Sequence, residues 1–313
     1  MHSRVSEFTL PSASGICEIY CRLWTPEKVR CVVQLAHGMM EHCGRYDAFA
    51  RFLNANGIAA AANDHLGHGK SIKDKEHFGF IAPSNGWDFM LSDMLALHNA
   101  VKHDFPDVPY ILMGHSMGSF LARSFASRRL AEVDAYIFSG TAGRNPAIGL
   151  VRPIVKMEIK KNGGQKPSPL LMNLAFGSYG NRFKPQRTGF DWLSRDTAAV
   201  DLYNEDPLCG FAFTAGGFLD LFEGLMEINR KGWAASVPDV PILLVSGTDD
   251  PVGDFSKGVR EVNAALKAAG RDVTMKLYEG GRHEMLNETN KDEVYADILG
   301  FTEKVIEKRG VEV

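Results

Sequence analysis

Tyr110-Ile111-Leu112-Met113 runs directly into Gly114-His115-Ser116-Met117-Gly118, and a helix-like stretch, Ser119 to Arg129, follows at once. An apolar run of strand character that passes into a helical pattern through G-x-S-x-G puts Ser116 on a sharp strand-to-helix turn. Such a turn holds the hydroxyl clear of the sheet. There an imidazole can take its proton and make a poor nucleophile a competent one. The flanking glycines let neighbouring backbone come close. One pentapeptide therefore sets two expectations: strands alternating with helices, and Ser116 as nucleophile.

A serine on this kind of turn is served by an acid and then a histidine further along the chain. His2, His37, His42, His65, His68, His77, His98, His103 and His115 all precede Ser116, and no histidine lies between Met117 and Arg282, so of ten histidines only His283 remains. It stands in Glu279-Gly280-Gly281-Arg282-His283-Glu284, just past the strand-like run Val273 to Tyr278. Catalytic groups commonly project from such strand-end loops. Taken alone, a loop histidine reads as a surface residue, and it is the order along the chain that reverses that reading.

The acid belongs between them, after another buried strand. Pro241-Ile242-Leu243-Leu244-Val245-Ser246-Gly247 is such a run, and Thr248-Asp249-Asp250-Pro251 follows it. Asp249, Asp250 and Asp254 compete for the role. The acid must reach the second imidazole nitrogen, fix its tautomer and stabilise the imidazolium. Spacing does not choose among the three, and turn chemistry or helix capping is the alternative use of each.

His37-Gly38-Met39-Met40-Glu41-His42, Asp64-His65-Leu66-Gly67-His68-Gly69-Lys70-Ser71, the serine turn, Ser246-Gly247-Thr248-Asp249-Asp250 and Gly281-Arg282-His283-Glu284 span nearly the whole chain. Together they resemble the monoglyceride lipase and lysophospholipase branch of the α/β-hydrolases, which includes serine aminopeptidase (S33-type) hydrolases. The resemblance implies Asp250 as the acid. It also implies an oxyanion hole made of the Met39 and Met117 backbone N–H groups, donors that meet charge appearing only in the transition state. Glu41 and His42 would brace the oxyanion loop, with Asp64 to Ser71 forming a turn beside the site. Ser119 departs from the pattern, which commonly has a second glycine there. It is either a helix-packing detail or a second hydroxyl near the site.

With 313 residues, 45% hydrophobic and 23% charged, the chain can bury a large core, roughly 75% of its unfolded surface. A net charge of −3 and pI near 6.4 offer no global attraction for nucleic acid. The five cysteines form no C-x-x-C pair and read as reduced structural thiols of a cytoplasmic protein, Cys43 beside the oxyanion loop included. Met1 to Glu7 lacks the apolar core of a signal peptide, and no window approaches the roughly 18 apolar residues of a membrane span. His65 with His68, and His37 with His42, lack an evident third ligand or an H-E-x-x-H pattern, so neither metal nor cofactor is expected.

Strand-like runs fall at Glu7 to Leu10, Ile16 to Trp24, Cys31 to Ala36, Ile58 to Asn63, Tyr110 to Met113, Ala135 to Ser139, Ile242 to Ser246 and Val273 to Tyr278. Helical patterns intervene at Tyr46 to Asn56, Trp87 to Asp104, Met117 to Arg129, Phe255 to Ala269 and Asp292 to Lys308. The expected fold is α/β: a mostly parallel eight-stranded sheet flanked by helices, its first two strands antiparallel, with a helical cap inserted after the sixth strand. Residues 1–140 and 236–313 would form the core and 141–235 the cap. In this region Phe176, Phe183, Phe190, Phe211, Phe213, Phe218 and Phe222 would either wall an acyl-chain tunnel or form the cap's own core.

Residues 151–187 hold Arg152, Lys156, Lys160, Lys161, Lys166, Arg182, Lys184 and Arg187 against Glu158, a local balance of 8 − 1 = +7 in an acidic chain. With Val151, Ile154, Val155 and Ile159, this is either a solvated cap face or a peripheral contact with anionic membrane. The function expected is hydrolysis of lipid carboxylic esters, monoacylglycerols or lysophospholipids, through an acyl-enzyme on Ser116. Two alternatives remain. One is a peptidase of the same fold, for which Glu205, Asp206 or Glu223 would hold a substrate amine, and the other is a receptor with slow turnover.

Overall fold

The computed structural model describes residues 4–310; Met1, His2 and Ser3 of the N-terminal stretch lie outside the described residues. In chain order, β1 (Arg4–Pro11), β2 (Glu18–Thr25) and β3 (Cys31–Ala36) precede α1 (Asp47–Ala55). Next come β4 (Ile58–Asn63), α2 (Gly86–Asp104), β5 (Tyr110–His115), α3 (Met117–Arg128) and β6 (Ala135–Ser139). After a long helical segment the sheet resumes with β7 (Ile242–Gly247), α9 (Lys257–Ala268), β8 (Val273–Tyr278) and α10 (Lys291–Lys308).

The eight strands form one sheet in the order β1-β2-β4-β3-β5-β6-β7-β8. β1 and β2 pair antiparallel from Arg4 opposite Thr25 to Pro11 opposite Glu18, because too little chain separates them for a parallel crossover. β2 also meets β4 antiparallel, and every later pairing is parallel. β3 to β7 are buried along their whole length, which is why they read as unbroken apolar runs.

Alternation along these strands feeds two cores. Val32, Ala59, Leu112, Phe138 and Leu244 face Met90, Met94 and Leu97 of α2, Leu121 and Phe125 of α3, and Val262 and Leu266 of α9. Val33, Ile111, Ile137, Leu243 and Val245 face Phe49 and Leu53 of α1 and Val294, Ile298 and Val305 of α10. The i, i+4 spacing of Phe49 and Leu53 puts both on one face of α1, and each such buried side chain contributes about 1.5–3 kcal/mol. Gln34, buried in β3, is tolerated because both ends of its amide are bonded, to the Met94 carbonyl at 3.0 Å and the Tyr110 hydroxyl at 2.8 Å.

Two boundaries depart from the sequence reading in ways that bear on function. β5 continues past Met113 through Gly114 and His115, since the parallel ladder to β6 pairs His115 with Ser139 and carries the strand to the edge of Ser116. α9 begins at Lys257 rather than Phe255, because Asp254, Phe255 and Ser256 all sit in the left-handed region, with φ of 48, 53 and 74°.

Between β6 and β7 the chain forms α4 (Ala147–Asn162), α5 (Pro169–Phe176), α6 (Thr197–Glu205), α7 (Ala215–Glu227) and α8 (Trp233–Ser236). Their starts carry ordinary capping chemistry: Ser168 accepts from Leu171 N ahead of Pro169, Asp196 from Ala198 and Ala199 N, and Thr214 from Gly217 N. Arg123 of α3 fastens both ends of this segment to the sheet domain. Its guanidinium donates to the Ala142 carbonyl (2.8 Å) and the Thr141 hydroxyl (3.3 Å) at one end and to the Ile228 carbonyl (2.8 Å) at the other, and lies 4.2 Å from the Trp233 ring. Wholly buried, it has its pKa lowered to about 9 by desolvation.

Candidate active site

Ser116 lies at the end of β5 with φ 52° and ψ −120°, a conformation costly for a residue with a side chain. Its N–H bonds the Ser139 carbonyl at 2.9 Å, and the carbonyl behind it accepts from Ser119 N (2.8 Å) and the Ser119 hydroxyl (2.6 Å). Ser119 is fully buried and spends its hydroxyl on this turn, so the helix-packing reading holds and a second hydroxyl beside the nucleophile position does not. A Cβ on Gly118 would run into the Ala36 carbonyl, and one on Gly114 into the backbone of Gly118. This closeness seats the start of α3 directly on the end of β3, where the loop His37 to His42 begins.

β7 and β8 deliver the other two groups. Of the three candidate aspartates, Asp249 and Asp254 are exposed and Asp250 is fully buried. Both Asp250 carboxylate oxygens lie 3.0 Å from His283 Nδ1, and they are oriented by the Val252 N–H at 2.9 Å and the Ser246 hydroxyl at 3.4 Å. The carboxylate is an acceptor, so Nδ1 carries the imidazole proton and Nε2 is left as a base. Burial works to lower the His283 pKa, but the Asp250 charge and hydrogen bond outweigh it and raise the value above 6.5. His283 is 2% exposed, 4.6 Å from the His115 ring and 5.3 Å from that of Trp192. His115, pushed down to about 3 by burial first and by His283 second, stays neutral beside it.

Ser116 and His283 line one cavity of about 550 Å³, together with Gly38, Met39, Met40 and Met117. Among the described residues the Ser116 hydroxyl makes no hydrogen bond to protein, and neither do the N–H groups of Met39 and Met117. The cavity's apolar wall comes from Ile148 and Val151 of α4, Phe176 of α5, and Leu221, Phe222 and Leu225 of α7. Of the seven phenylalanines raised by the sequence as tunnel residues, only Phe176 and Phe222 line it. Phe213 and Phe218 are fully buried in the helical segment, Phe190 stacks on Tyr203 at 4.9 Å, Phe211 packs on Phe78, and Phe183 lines a separate basic cleft with Arg182, Lys184 and Arg282. Phe213 and Phe218 thereby join the core shared with the sheet, while Phe183 and Phe190 pack against the segment's own small cluster around Trp192 and Tyr203.

A network that extends the bracing expected of Glu41 ties the His37–His42 loop to the histidine loop. Glu41 accepts from Gly38 N (2.5 Å) and the Tyr46 hydroxyl (2.9 Å), Arg45 pairs with Glu41 at 2.7 Å, and the same guanidinium meets Glu284 in a two-point contact at 2.6 and 2.7 Å. Burial would raise the Glu284 carboxyl, yet the Arg45 charge outweighs it and holds it down at about 2. The family resemblance points to Glu41 but not to Arg45 or Glu284, for which only the i, i+4 spacing of Glu41 and Arg45 was available as a signal. His37 bridges in the other direction, donating from Nδ1 to the Gly38 carbonyl (2.7 Å) while Nε2 accepts from His65 N (2.9 Å). Asp64 closes that second loop by accepting from Cys43 N and Lys70 N, both at 2.8 Å.

One group among the described residues, His42, Asp206 and Cys209, brings metal-ligand atoms within 4.8 Å of one another. There Gly44 N donates to His42 Nδ1 (3.2 Å), so Nε2 bears the proton and gives it to Asp206 (2.9 Å), which leaves a neutral imidazole no lone pair for a cation. The amine-binding acids raised by the sequence are placed elsewhere: Asp206 pairs with His42, Glu223 with Arg152 and Glu205 is exposed, none of them on the cavity wall.

A mostly parallel eight-stranded sheet that gathers a serine turn, a carboxylate and a histidine beyond the ends of β5, β7 and β8 is the architecture of an α/β-hydrolase. The model of the family described as serine aminopeptidase, S33, matches residues 27–290, and the chain belongs to that family. It is 30% identical to the monoglyceride lipase of Rattus norvegicus over 272 residues, 86% of this chain and 81% of the relative. It is 29% identical to the monoacylglycerol lipase of Mycolicibacterium smegmatis over 299 residues, 95% and 96% of the two chains. Among solved structures, a thermostable carboxyl esterase from Bacillus coagulans in complex with glycerol superposes with a TM-score of 0.91 at 32% identity, covering 96% of this chain and 99% of the other.

Proposed function

We propose that this protein hydrolyses carboxylic esters of lipids, monoacylglycerols or lysophospholipids, through an acyl-enzyme on Ser116. The observation that carries the reading is the buried Asp250–His283 pair sharing an apolar cavity with the unpaired Ser116 hydroxyl. His283 Nε2 takes the Ser116 proton as the oxygen attacks the ester carbonyl. The oxyanion rests on the Met39 and Met117 N–H groups, and Asp250 stabilises the imidazolium. The imidazolium then protonates the leaving alcohol, and water, deprotonated by the same nitrogen, releases the fatty acid.

Residues 141–235 serve in this reading as the cap, with α4, α5 and α7 walling the acyl chain away from water. On the outside of α4 and α5, Leu150 is 78% exposed, Met157 63% and Leu170 49%, beside Lys156, Lys160 and Lys161. Apolar side chains among lysines on one exposed face favour peripheral contact with an anionic lipid surface, from which substrate would be drawn. Among the described residues no helix is long and apolar enough to cross a membrane.

The family's peptidase description makes an amide substrate the rival: Glu205, Asp206 and Glu223 are off the cavity wall but Asp254 and Glu261 are on it, so it is the apolar wall from α4, α5 and α7 that favours lipid. Parallel assays on a monoacylglycerol and an aminoacyl anilide decide between them, with faster anilide cleavage overturning the lipid reading. Fluorophosphonate labelling mapped to Ser116 supports an activated serine, whereas an unlabelled protein would make the chain a binding receptor.

A further inference from the structure

Met39 lies between two anchored peptide groups. On one side the Gly38 N–H is held by Glu41 at 2.5 Å. On the other, Met40 sits at φ 59°, in the left-handed region that a long side chain seldom adopts. Its carbonyl accepts two hydrogen bonds, from the Tyr203 hydroxyl at 2.9 Å and from Gly210 N at 3.0 Å. Both donors belong to the segment between β6 and β7, and both Met40 and Tyr203 are buried. The Tyr203 ring is itself fixed, with the Arg45 guanidinium 4.8 Å from its centroid on one side and Phe190 at 4.9 Å on another.

We infer that Tyr203 is a positioning residue for the reaction: through the Met40 carbonyl, its hydroxyl keeps the Met39 N–H aimed at the developing oxyanion. The inference rests on the reading of Met39 as an oxyanion donor. A left-handed residue next to that donor relaxes unless its carbonyl is held, and relaxation rotates the peptide groups around Met39. The segment thus does more than wall the cavity. It completes the geometry of the sheet-borne loop, and displacing α6 from the core dismantles half of the oxyanion hole.

Tyr203→Phe tests this, because it keeps the ring between Arg45 and Phe190 and removes only the hydroxyl. The measurements are kcat and KM on a water-soluble p-nitrophenyl ester, normalised by fluorophosphonate titration of competent enzyme, and the Ki of a trifluoromethyl ketone whose adduct carries the oxyanion. One lost hydrogen bond predicts a fall in kcat of about five- to tenfold with KM within about twofold, and a rise in Ki by the factor lost from kcat/KM. An unchanged kcat, a change confined to KM, or a lower kcat with unaltered Ki each overturns the inference. Ser116→Ala run alongside separates the two readings. If it keeps turnover, the active-site assignment itself fails, and if it is inactive while Tyr203→Phe behaves as wild type, only the role of Tyr203 falls.

Discussion

The sheet domain and the segment between β6 and β7 are built to different standards of closure. Strands β3 to β7 are buried along their whole length, and Asp250 and His283 are 0% and 2% exposed. The intervening segment leaves Leu150, Met157 and Leu202 between 63% and 78% exposed and gathers its own small core around Trp192, Leu193, Tyr203 and Cys209. Groups that transfer protons need positions fixed to fractions of an ångström, which strand ends inside a packed sheet supply. Groups that admit a flexible lipid need adaptable apolar surface, and short helices supply that. In the proposed reading the proton-transferring groups stand on the sheet and the apolar wall on the segment, with the Tyr203–Met40 bond as the point where the two meet.

The largest expected effect falls on the sheet side. Ser116→Ala lowers turnover on a p-nitrophenyl ester on the order of a millionfold if the three groups act as a unit, and a native rate in that assay would overturn the division of labour altogether. Next, Asp250→Asn lowers kcat about ten-thousandfold and moves the pH profile. In the native protein the raised His283 pKa puts the acid limb of kcat/KM above 6.5, since activity requires the neutral imidazole. Without the Asp250 charge, burial meets only the weaker pull of the Glu284 and Glu41 charges and the limb shifts to lower pH, and an unmoved limb would mean that His283 does not report it.

On the other side, Leu150→Ser with Met157→Ser reduces affinity for vesicles containing anionic lipid about tenfold and leaves hydrolysis of a soluble short-chain ester unchanged. Equal loss in both assays would show that the two halves are not separable. The smallest effect concerns their seam. Asp220 of α7 accepts from Gly86 N at 3.0 Å, and burial pushes its carboxyl up to about 7. A raised carboxyl contributes stability at pH below its unfolded value that is lost as pH rises through its folded one. Asp220→Asn keeps the acceptor without the charge, so its Tm exceeds that of the native protein by about 2 °C at pH 8, and the gap closes as pH falls to about 3, below the value of an unfolded aspartate. A gain confined to low pH would reverse the sign and refute this account.

What the sequence disclosed follows the same division. Residues 110–118, the elimination of nine histidines and the apolar runs of β3 to β7 disclosed the sheet and nominated Ser116 and His283, because each follows from a local pattern or from order along the chain. Spacing left the acid open among Asp249, Asp250 and Asp254 and only the family resemblance pointed to Asp250; the burial that favours the same residue is a property of tertiary packing that no spacing encodes. The helical segment was legible as an interruption and little more. Its phenylalanines divide among the cavity, the core shared with the sheet and the segment's own cluster by packing direction, and five of seven turned away from the cavity. The Arg45–Glu284 contact and the Tyr203–Met40 bond join residues 239 and 163 positions apart, beyond the reach of periodicity.

The guanidinium of Arg123, which has no carboxylate partner among the described residues and is strung between carbonyls at both margins of the helical segment, bears on how such enzymes can be remodelled. A chimera that grafts in a foreign segment must reproduce those carbonyl acceptors, or it strands a cation in a dry interior. Transplanting the segment together with its margins, Thr141 to Asn229, and with a tryptophan in place of Trp233, is therefore the exchange most compatible with folding. Substrate range in this lineage is better diversified by altering side chains within the segment than by trading it whole.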